Sequence, residues 1–147
     1  MKNLLLSAII LSVMVLFSCG KNDPSIHAIT GNWNIVSDTT WSSGIGPNGT
    51  PSGNKYTGVA GDHFNFTSSG KLYVKEGNIK LDTANYTISG DTLKLTYRYL
   101  YEGGVTVQGA SGSFIISTLT NQSLILTEDF LTPGGRIDET ITLSRNN

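Results

Sequence analysis

NYTISGDTLKLTYRYLY, residues 85–101, is the stretch of sequence that decides the fold class. Apolar and polar residues alternate on both sides of Gly90-Asp91, a pair typical of a tight turn, so the stretch predicts the two strands of a β-hairpin. Alternate residues of a strand share one face, and the face of the second strand carries Leu93, Leu95, Tyr97, Tyr99 and Tyr101.

The same alternation recurs from Gly31 onwards, between short turns rich in Gly, Asn and Asp. There are about eight such segments, with starts commonly about 8–12 residues apart, as in antiparallel barrels and sandwiches. No segment keeps apolar residues at the helical spacing of about 3.6 residues for long enough to predict a helix. Other alternating positions that mark strands are Trp33 and Ile35, Phe64 and Phe66, Leu72 and Val74, Phe114 and Ile116, Leu124 and Leu126, and Ile137, Ile141 and Leu143.

The composition limits the partners and cross-links that the domain can have. The formal net charge of the 147-residue chain is −1, so the sequence predicts no basic surface for nucleic acid. Cys19 is the only cysteine, so core packing has to hold the fold without a disulfide within the chain. The length predicts one domain, which buries roughly two-thirds of the surface that its unfolded chain exposes.

Residues 1–18 predict a secretory signal peptide. Lys2 supplies a positive charge, and the almost wholly apolar run 4–17 follows it. That run is shorter than the ~20 residues that a helix needs to cross a bilayer. Residues 19–29 begin with a polar, proline-containing stretch typical of a tether, and residues 30–147 form the predicted domain.

Leu16-Phe17-Ser18-Cys19, at the end of the apolar run, resembles the lipobox of bacterial lipoproteins. The resemblance implies cleavage before Cys19, a lipid on its thiol and an acyl chain on the new amino group, since stable anchoring needs at least two chains. In enterobacteria an Asp after the cysteine retains a lipoprotein in the inner membrane, so Gly20 implies an outer-membrane location in the cell envelope. The alternative is an ordinary signal peptide followed by a chance cysteine.

Two motifs at opposite ends of the domain resemble those of lipocalins. Gly31-Asn32-Trp33 matches the Gly-x-Trp signature, and residues 141–145, Ile-Thr-Leu-Ser-Arg, resemble the end of small lipocalin-like lipoproteins of Bacteroidetes. The resemblance implies an eight-stranded up-and-down barrel, closed at one end, without the C-terminal helix of larger lipocalins. It also implies that Trp33 closes the barrel floor and that Arg145 packs over it. Three further stretches that look like that group are 61–66, 88–95 and 119–126.

The stretch from Ser42 to Gly61 interrupts the strand pattern and is rich in Gly, Pro, Ser and Asn. Loops longer than ~12–15 residues in a compact domain are usually functional or disordered, so we expect a mobile flap at the open end, with Tyr56 and Val59 nearest the mouth. Within it, residues 44–49 fit the Gly-x-Gly-x-x-Gly pattern of dinucleotide sites. Pro47 lacks an N–H group and no helix follows, so we expect no nucleotide there.

No motif in the sequence predicts a catalytic or metal centre, and we expect neither a cofactor nor an enzymatic activity. His27 and His63 are the only histidines, whereas zinc needs three or four N, S or O ligands in a cluster. The Gly-x-Ser-x-Gly motif of a serine nucleophile does not occur.

The residues best suited to contact a ligand lie on two predicted strands and in the long loop. The tyrosines of the second hairpin strand either extend the barrel core or form an aromatic mouth with polar tips. Glu139 shares its face with Ile141, and an inward carboxylate either orients a ligand in a pocket or, at a bulge or strand end, lies in water. The candidates for the pocket or mouth are Tyr56, Tyr97, Tyr99, Tyr101 and Glu139.

Two functions remain open at this point. The first is a cup-shaped binding module that holds a small apolar or amphipathic molecule. The second is a structural or interaction protein with a packed barrel core, whose surface meets another envelope protein. A continuous interior cavity of ~300 Å³ or more favours a ligand, and a plugged core favours a protein partner.

Overall fold

The computed structural model describes residues 26–44, 50–77, 79–102, 105–109 and 111–145. The predictions for the signal peptide and for Cys19 fall outside these residues. One helical turn, α1 (Ile26–Ile29), comes first, and within the described residues no helix is long and apolar enough to cross a membrane. The strands are β1 (Gly31–Ser43), β2 (Ser52–Thr57), β3 (His63–Phe66), β4 (Lys71–Glu76), β5 (Ile79–Ser89), β6 (Thr92–Glu102), β7 (Val105–Gln108), β8 (Gly112–Leu119), β9 (Ser123–Thr132) and β10 (Gly135–Ser144).

Eight strands close into an antiparallel up-and-down barrel, which confirms the predicted fold class. The ring runs β1-β3-β4-β5-β6-β8-β9-β10 and closes where β10 pairs with β1. β2 and β7 are additional strands outside the ring of eight. β2 pairs with the second half of β1, and β7 pairs with the C-terminal end of β6. We call the end of the barrel where β1 begins the lower end, and the opposite end the upper end.

The long stretch after the first predicted strand is more ordered than the sequence suggested. β1 continues to Ser43, and β2 pairs with it from Ser37–Thr57 to Ser42–Ser52, where the two serine hydroxyl oxygens are 2.8 Å apart. The expectation of an irregular loop is therefore wrong for residues 52–57. The sequence of β2 shows no apolar alternation because all but one of its residues are exposed.

The lower half of the barrel is filled by apolar side chains at alternate strand positions. Trp33 and Phe66 are fully buried, and the Phe66 ring meets the Tyr86 ring edge-on, with centroids 5.2 Å apart. Phe64 lies against Phe66 at a centroid distance of 6.1 Å. This half is a packed core. Its buried apolar residues are Ile29, Trp33, Ile35, Phe64, Phe66, Leu72, Ala84, Tyr86, Leu93, Leu95, Phe114, Ile116, Leu124, Leu126, Ile141 and Leu143.

Candidate functional site in the barrel cavity

The lower end of the barrel is sealed by the contact that the lipocalin resemblance implied. Trp33 is fully buried, and its Nε1 donates a hydrogen bond of 2.7 Å to the carbonyl of Ile29 in α1. The Arg145 guanidinium carbon lies 3.9 Å from the centroid of the Trp33 ring. The same guanidinium donates to the carbonyls of Ala28, Ile29 and Thr30, at 3.4, 3.2 and 2.5 Å. A site in the interior therefore has to open toward the upper end.

Gly31 is needed at this floor for two reasons. Its φ of 124° lies in the region that side-chain-bearing residues rarely adopt. A Cβ atom on Gly31 would also lie 3.3 Å from Nη2 of Arg145, closer than ordinary van der Waals contact. The glycine of the Gly-x-Trp motif thus makes room for the arginine that covers the tryptophan.

A partly open cavity of about 100 Å³ lies above the packed core. Its base is apolar, and four carboxylate side chains stand on its walls. We call these four, Asp38, Glu76, Asp82 and Glu139, the acidic collar. The apolar lining residues are Phe64, Leu72, Val74, Ala84, Leu95, Phe114 and Ile141, and Thr83 also lines the cavity.

The collar forms because inward positions on four strands change from apolar residues to carboxylates around the cavity. On β4 the inward residue Val74 is followed two positions later by Glu76, and on β10 Ile141 is preceded two positions earlier by Glu139. On β5, Asp82 stands two positions before the buried Ala84 in the same way. Moving toward the upper end, each of these strands therefore exchanges an inward apolar side chain for an inward carboxylate.

Asp38 reaches the collar through a β-bulge in β1. The register with β10 shifts between Ile35, which pairs with Leu143, and Ser37, which pairs with Thr142, so Val36 is the extra residue. Asp38 then pairs with the buried Ile141 and shares its inward face. Without the bulge, simple alternation from Ile35 places Asp38 on the outer face, which is why the sequence did not identify it.

Asp38 and Glu139 form the electrostatic centre of the collar. Burial raises the pKa of Asp38, and a side-chain hydrogen bond with Glu139 lowers it by less, so the net shift is upward. Oδ1 of Asp38 is buried and receives no hydrogen bond from any N–H or hydroxyl group in the described residues. Among the described residues that line the cavity there is no Lys, Arg or His.

Asp62 is a second buried carboxylate, and its surroundings are the opposite of those of Asp38. It is 2% exposed and accepts hydrogen bonds from the Tyr56 hydroxyl at 2.5 Å, Val59 N at 2.8 Å and Gly77 N at 2.9 Å. Burial raises the pKa of Asp62, but these hydrogen bonds and the charge of Lys75 outweigh it and hold the pKa below its usual value. Asp62 therefore ties β2 and the turn after it to the β4–β5 hairpin.

The structure places the predicted ligand residues in three different situations. Glu139 lines the cavity, as the pocket interpretation of this residue expected. Tyr56 is not among the lining residues; its hydroxyl donates to Asp62, and this hydrogen bond raises the pKa of Tyr56 to about 12. Tyr97, Tyr99 and Tyr101 belong to β6, where Tyr99 pairs with Thr83, but their side chains lie outside the described part of the chain.

A broader groove of about 610 Å³ runs along the outside of the barrel near its upper end. Arg136 crosses it and pairs with Asp129 at 2.8 Å and with Asp138 at 2.7 Å, all three side chains being well exposed. Glu139 lines both the groove and the interior cavity. The backbone partner of Glu139 on β9 is Glu128, whose Oε1 accepts a hydrogen bond of 3.3 Å from Ser113 N.

The carboxylates of the collar are spread around the cavity wall. In the described residues no three His, Cys, Asp or Glu side chains lie close enough together to hold a metal ion. No protein-family model matches the chain, and no curated protein matches it in sequence. The argument for function therefore depends on the barrel and on the geometry of its cavity.

Proposed function

We propose that this chain is a lipid-anchored envelope protein of the lipocalin-like type, and that its barrel binds a small amphipathic molecule in the cavity above its floor. The observation that carries the proposal is the division of the cavity into an apolar base and a polar collar. Ligand sites are typically mostly apolar with a few convergent polar groups that fix orientation. The protein acts by binding, without chemical conversion of the ligand.

The size of the cavity limits what it can hold. Its volume of about 100 Å³ is below the ~300 Å³ expected of a site for a drug-sized ligand. An apolar cavity of about 150 Å³ is large enough for benzene. The inserted part of the ligand is therefore a short chain or small ring of a few heavy atoms, and larger molecules keep their remainder outside the mouth.

The anchor determines which way the mouth faces. Six residues, 20–25, separate Cys19 from α1, and a chain of that length spans at most roughly 25 Å. Since α1 packs beneath the barrel floor at Trp33, a lipid on Cys19 holds the lower end near the bilayer. In this proposal the upper end points away from the membrane, and the ligand enters from that side.

Binding can be tested by adding pentan-1-ol, an uncharged amphipathic probe, to the purified domain and recording methyl NMR spectra. We expect saturable shifts of the Leu72 and Ile141 methyl groups, which line the cavity, and none at the exposed Ile115. Ala84→Leu adds volume at the cavity wall and should abolish the shifts. Ala60→Leu makes the same change at an exposed turn position and should leave them intact. Equal behaviour of all three proteins would contradict the binding proposal.

The anchor is tested separately by metabolic labelling with a clickable fatty acid. Cys19→Ser should lose the label and leave the signal peptide uncleaved, because no other residue supplies a thiol. Label retained on the Cys19→Ser protein would show that the lipid is not attached at this position.

A second candidate function is supported by the surface near the upper end. Trp41, Phe130 and Leu131 are 49%, 40% and 82% exposed, and the cavity itself is small. Large exposed apolar side chains can mark a protein interaction site when they form a continuous patch. If pentan-1-ol does not enter the cavity, a packed barrel that meets another envelope protein through this end becomes the better account.

A further inference from the structure

We propose that Tyr56 is a gate in the side wall of the cavity. Its ring limits the size of the ligand that the barrel accepts, and its movement sets how fast the ligand exchanges. This inference rests on the proposed binding function and identifies a residue that determines its specificity.

The barrel wall is continuous in its lower half but divided in its upper half. At the lower end, residues 31–34 of β1 pair with β3, and β3 pairs with β4. From Ser37 onwards β1 pairs with β2 instead, and among the described residues β2 pairs with no other strand. We call the boundary between β2 and the β4–β5 hairpin the seam. Side chains have to close the wall there.

Tyr56 spans the seam. It is the cross-strand partner of Asp38, which lines the cavity, so the two side chains share the inward face. The Tyr56 ring packs against the buried core. Its hydroxyl donates a hydrogen bond of 2.5 Å to Asp62, which also accepts one from Gly77 N in the hairpin turn. A Cβ atom built on Gly77 would lie 3.6 Å from the Tyr56 hydroxyl oxygen, so the ring reaches from β2 to the hairpin.

The contacts of Tyr56 allow it to move, whereas its acceptor is fixed. Tyr56 is the one partly buried residue of β2 and the other five are exposed, so few apolar contacts hold this strand against the barrel. When the Tyr56 hydroxyl leaves, Asp62 keeps Val59 N as a donor to Oδ2 and Gly77 N as a donor to Oδ1. Its backbone carbonyl also accepts from Ile35 N at 3.2 Å. Rotation of the Tyr56 ring therefore opens the seam without releasing Asp62.

The position of the ring limits the cavity on one side. The cavity has a volume of about 100 Å³, and Asp38 on its wall is the direct neighbour of Tyr56 on the next strand. Space that a deleted apolar side chain leaves in a protein interior can be filled by a ligand. With the ring in place the cavity accepts a thin tail, and without the ring it extends to the seam and accepts a bulkier one.

The gate is tested with two uncharged probes, pentan-1-ol with a thin tail and adamantan-1-ylmethanol with a bulky one. Tyr56→Phe keeps the ring and removes the hydroxyl. We expect it to raise the association and dissociation rates of pentan-1-ol together, by about two- to tenfold, because opening no longer breaks a hydrogen bond. Exchange-broadened methyl NMR signals of Leu72 and Ile141, which line the cavity, give these rates.

Tyr56→Ala tests the size limit. We expect it to raise the affinity for adamantan-1-ylmethanol relative to pentan-1-ol by at least about tenfold, since several more CH₂ groups then become buried. Tyr73→Phe and Tyr73→Ala are the matched controls. Tyr73 is also partly buried but lies on the opposite face of β4 from Leu72 and Val74, so both controls should leave rates and selectivity unchanged. Thermal unfolding shows whether each variant is folded, and if Tyr56→Ala is not, the rates of Tyr56→Phe decide.

The possible outcomes separate the gate from the proposed function. If pentan-1-ol binds but Tyr56→Phe exchanges it at the parent's rates, Tyr56 is a structural residue and the gate is wrong. Equal rate increases in Tyr56→Phe and Tyr73→Phe would overturn it in the same way, because a general loosening of the barrel explains them. If pentan-1-ol binds to none of these proteins, the proposed function itself fails, and the gate fails with it.

Discussion

The lower and upper halves of this barrel are built from the same eight strands but filled in opposite ways. In the lower half the inward positions carry residues such as Trp33, Phe66 and Leu93, all fully buried. In the upper half the corresponding positions carry the acidic collar around a cavity. A packed apolar core stabilises the fold, whereas inward carboxylates oppose burial. The lower half therefore supplies most of the apolar packing that stabilises the barrel, and the upper half carries the inward ionisable side chains.

The same contrast appears between two carboxylates in the barrel wall. Asp62 accepts hydrogen bonds from three donors, and its pKa is lowered. Asp38 has a buried oxygen without a donor among the described residues, and its pKa is raised. Asp62 therefore ties segments of the barrel together, whereas Asp38 is a carboxyl whose charged form is disfavoured by burial. The following substitutions test whether this division is correct.

The largest effect is expected at the floor. Trp33→Ala should lower the free energy of unfolding by about 3–5 kcal/mol, since it removes a fully buried ring and leaves a cavity. Trp41→Ala is the matched control, because Trp41 is 49% exposed and faces the upper end. Urea unfolding monitored by tyrosine fluorescence or circular dichroism provides the measurement. Similar losses in the two variants would mean that the lower half does not dominate stability.

Asp62→Asn should lower the free energy of unfolding by about 1–3 kcal/mol at neutral pH. The amide has one acceptor oxygen fewer than the carboxylate, so its NH₂ group would face a group that donates a hydrogen bond to Asp62. The loss should shrink in acid. A carboxyl with a depressed pKa contributes stability above its ordinary pKa, and that contribution disappears as the pH falls through the folded-state value. Asp91→Asn at an exposed turn is the control. If the loss of unfolding free energy in Asp62→Asn does not change with pH, it does not arise from the charge of Asp62.

Arg145→Ala should cost about 0.5–2 kcal/mol through loss of the cation–π contact with Trp33, without changing the fold. The carbonyls of Ile29 and Thr30 lose the same donor, so α1 should also loosen. Hydrogen exchange at residues 28–33 measures this local effect. Arg136→Ala, which removes an exposed ion-paired arginine, should leave exchange at the floor unchanged. An unaltered floor in Arg145→Ala would indicate that Trp33 and α1 close the barrel unaided.

The packed half of the barrel was predictable from the sequence, whereas much of the upper half was not. Strict alternation of apolar and polar residues identifies inward residues such as Trp33 and Leu143, because alternate residues of a strand share the face that is buried. The same parity indicated Glu139. The exposed strand β2 carries no such signal, because solvent contacts nearly all of its residues.

Asp38 was hidden for a different reason, since a bulge at Val36 reverses the faces of the residues that follow. A bulge depends on how two strands pair, and a single strand's sequence does not reveal it. Glu76 and Asp82 shared the parity of Val74 and Ala84, so attention to inward carboxylates on every strand would have found them.

The smallest and most informative change is Asp38→Asn. We expect it to raise the free energy of unfolding by about 1 kcal/mol at neutral pH, because the neutral amide avoids burying a charge and can donate to Glu139. Burial is the main cause of the raised pKa of Asp38, so replacing the carboxyl with a neutral amide removes that cost. The opposite sign from Asp62→Asn is the feature that distinguishes the two carboxylates.

The pH dependence provides the sharper test. A carboxyl with a raised folded-state pKa contributes stability that is fully present below its ordinary pKa of ~3.9 and is lost as the pH rises through the folded-state value. The advantage of Asp38→Asn should therefore be largest near pH 7 and vanish toward pH 4, as seen by urea unfolding at several pH values. A variant less stable than the parent at pH 7 would mean that Asp38 is already satisfied. In that case the contrast between the packed lower half and the strained carboxylate of the upper half would lose its main support.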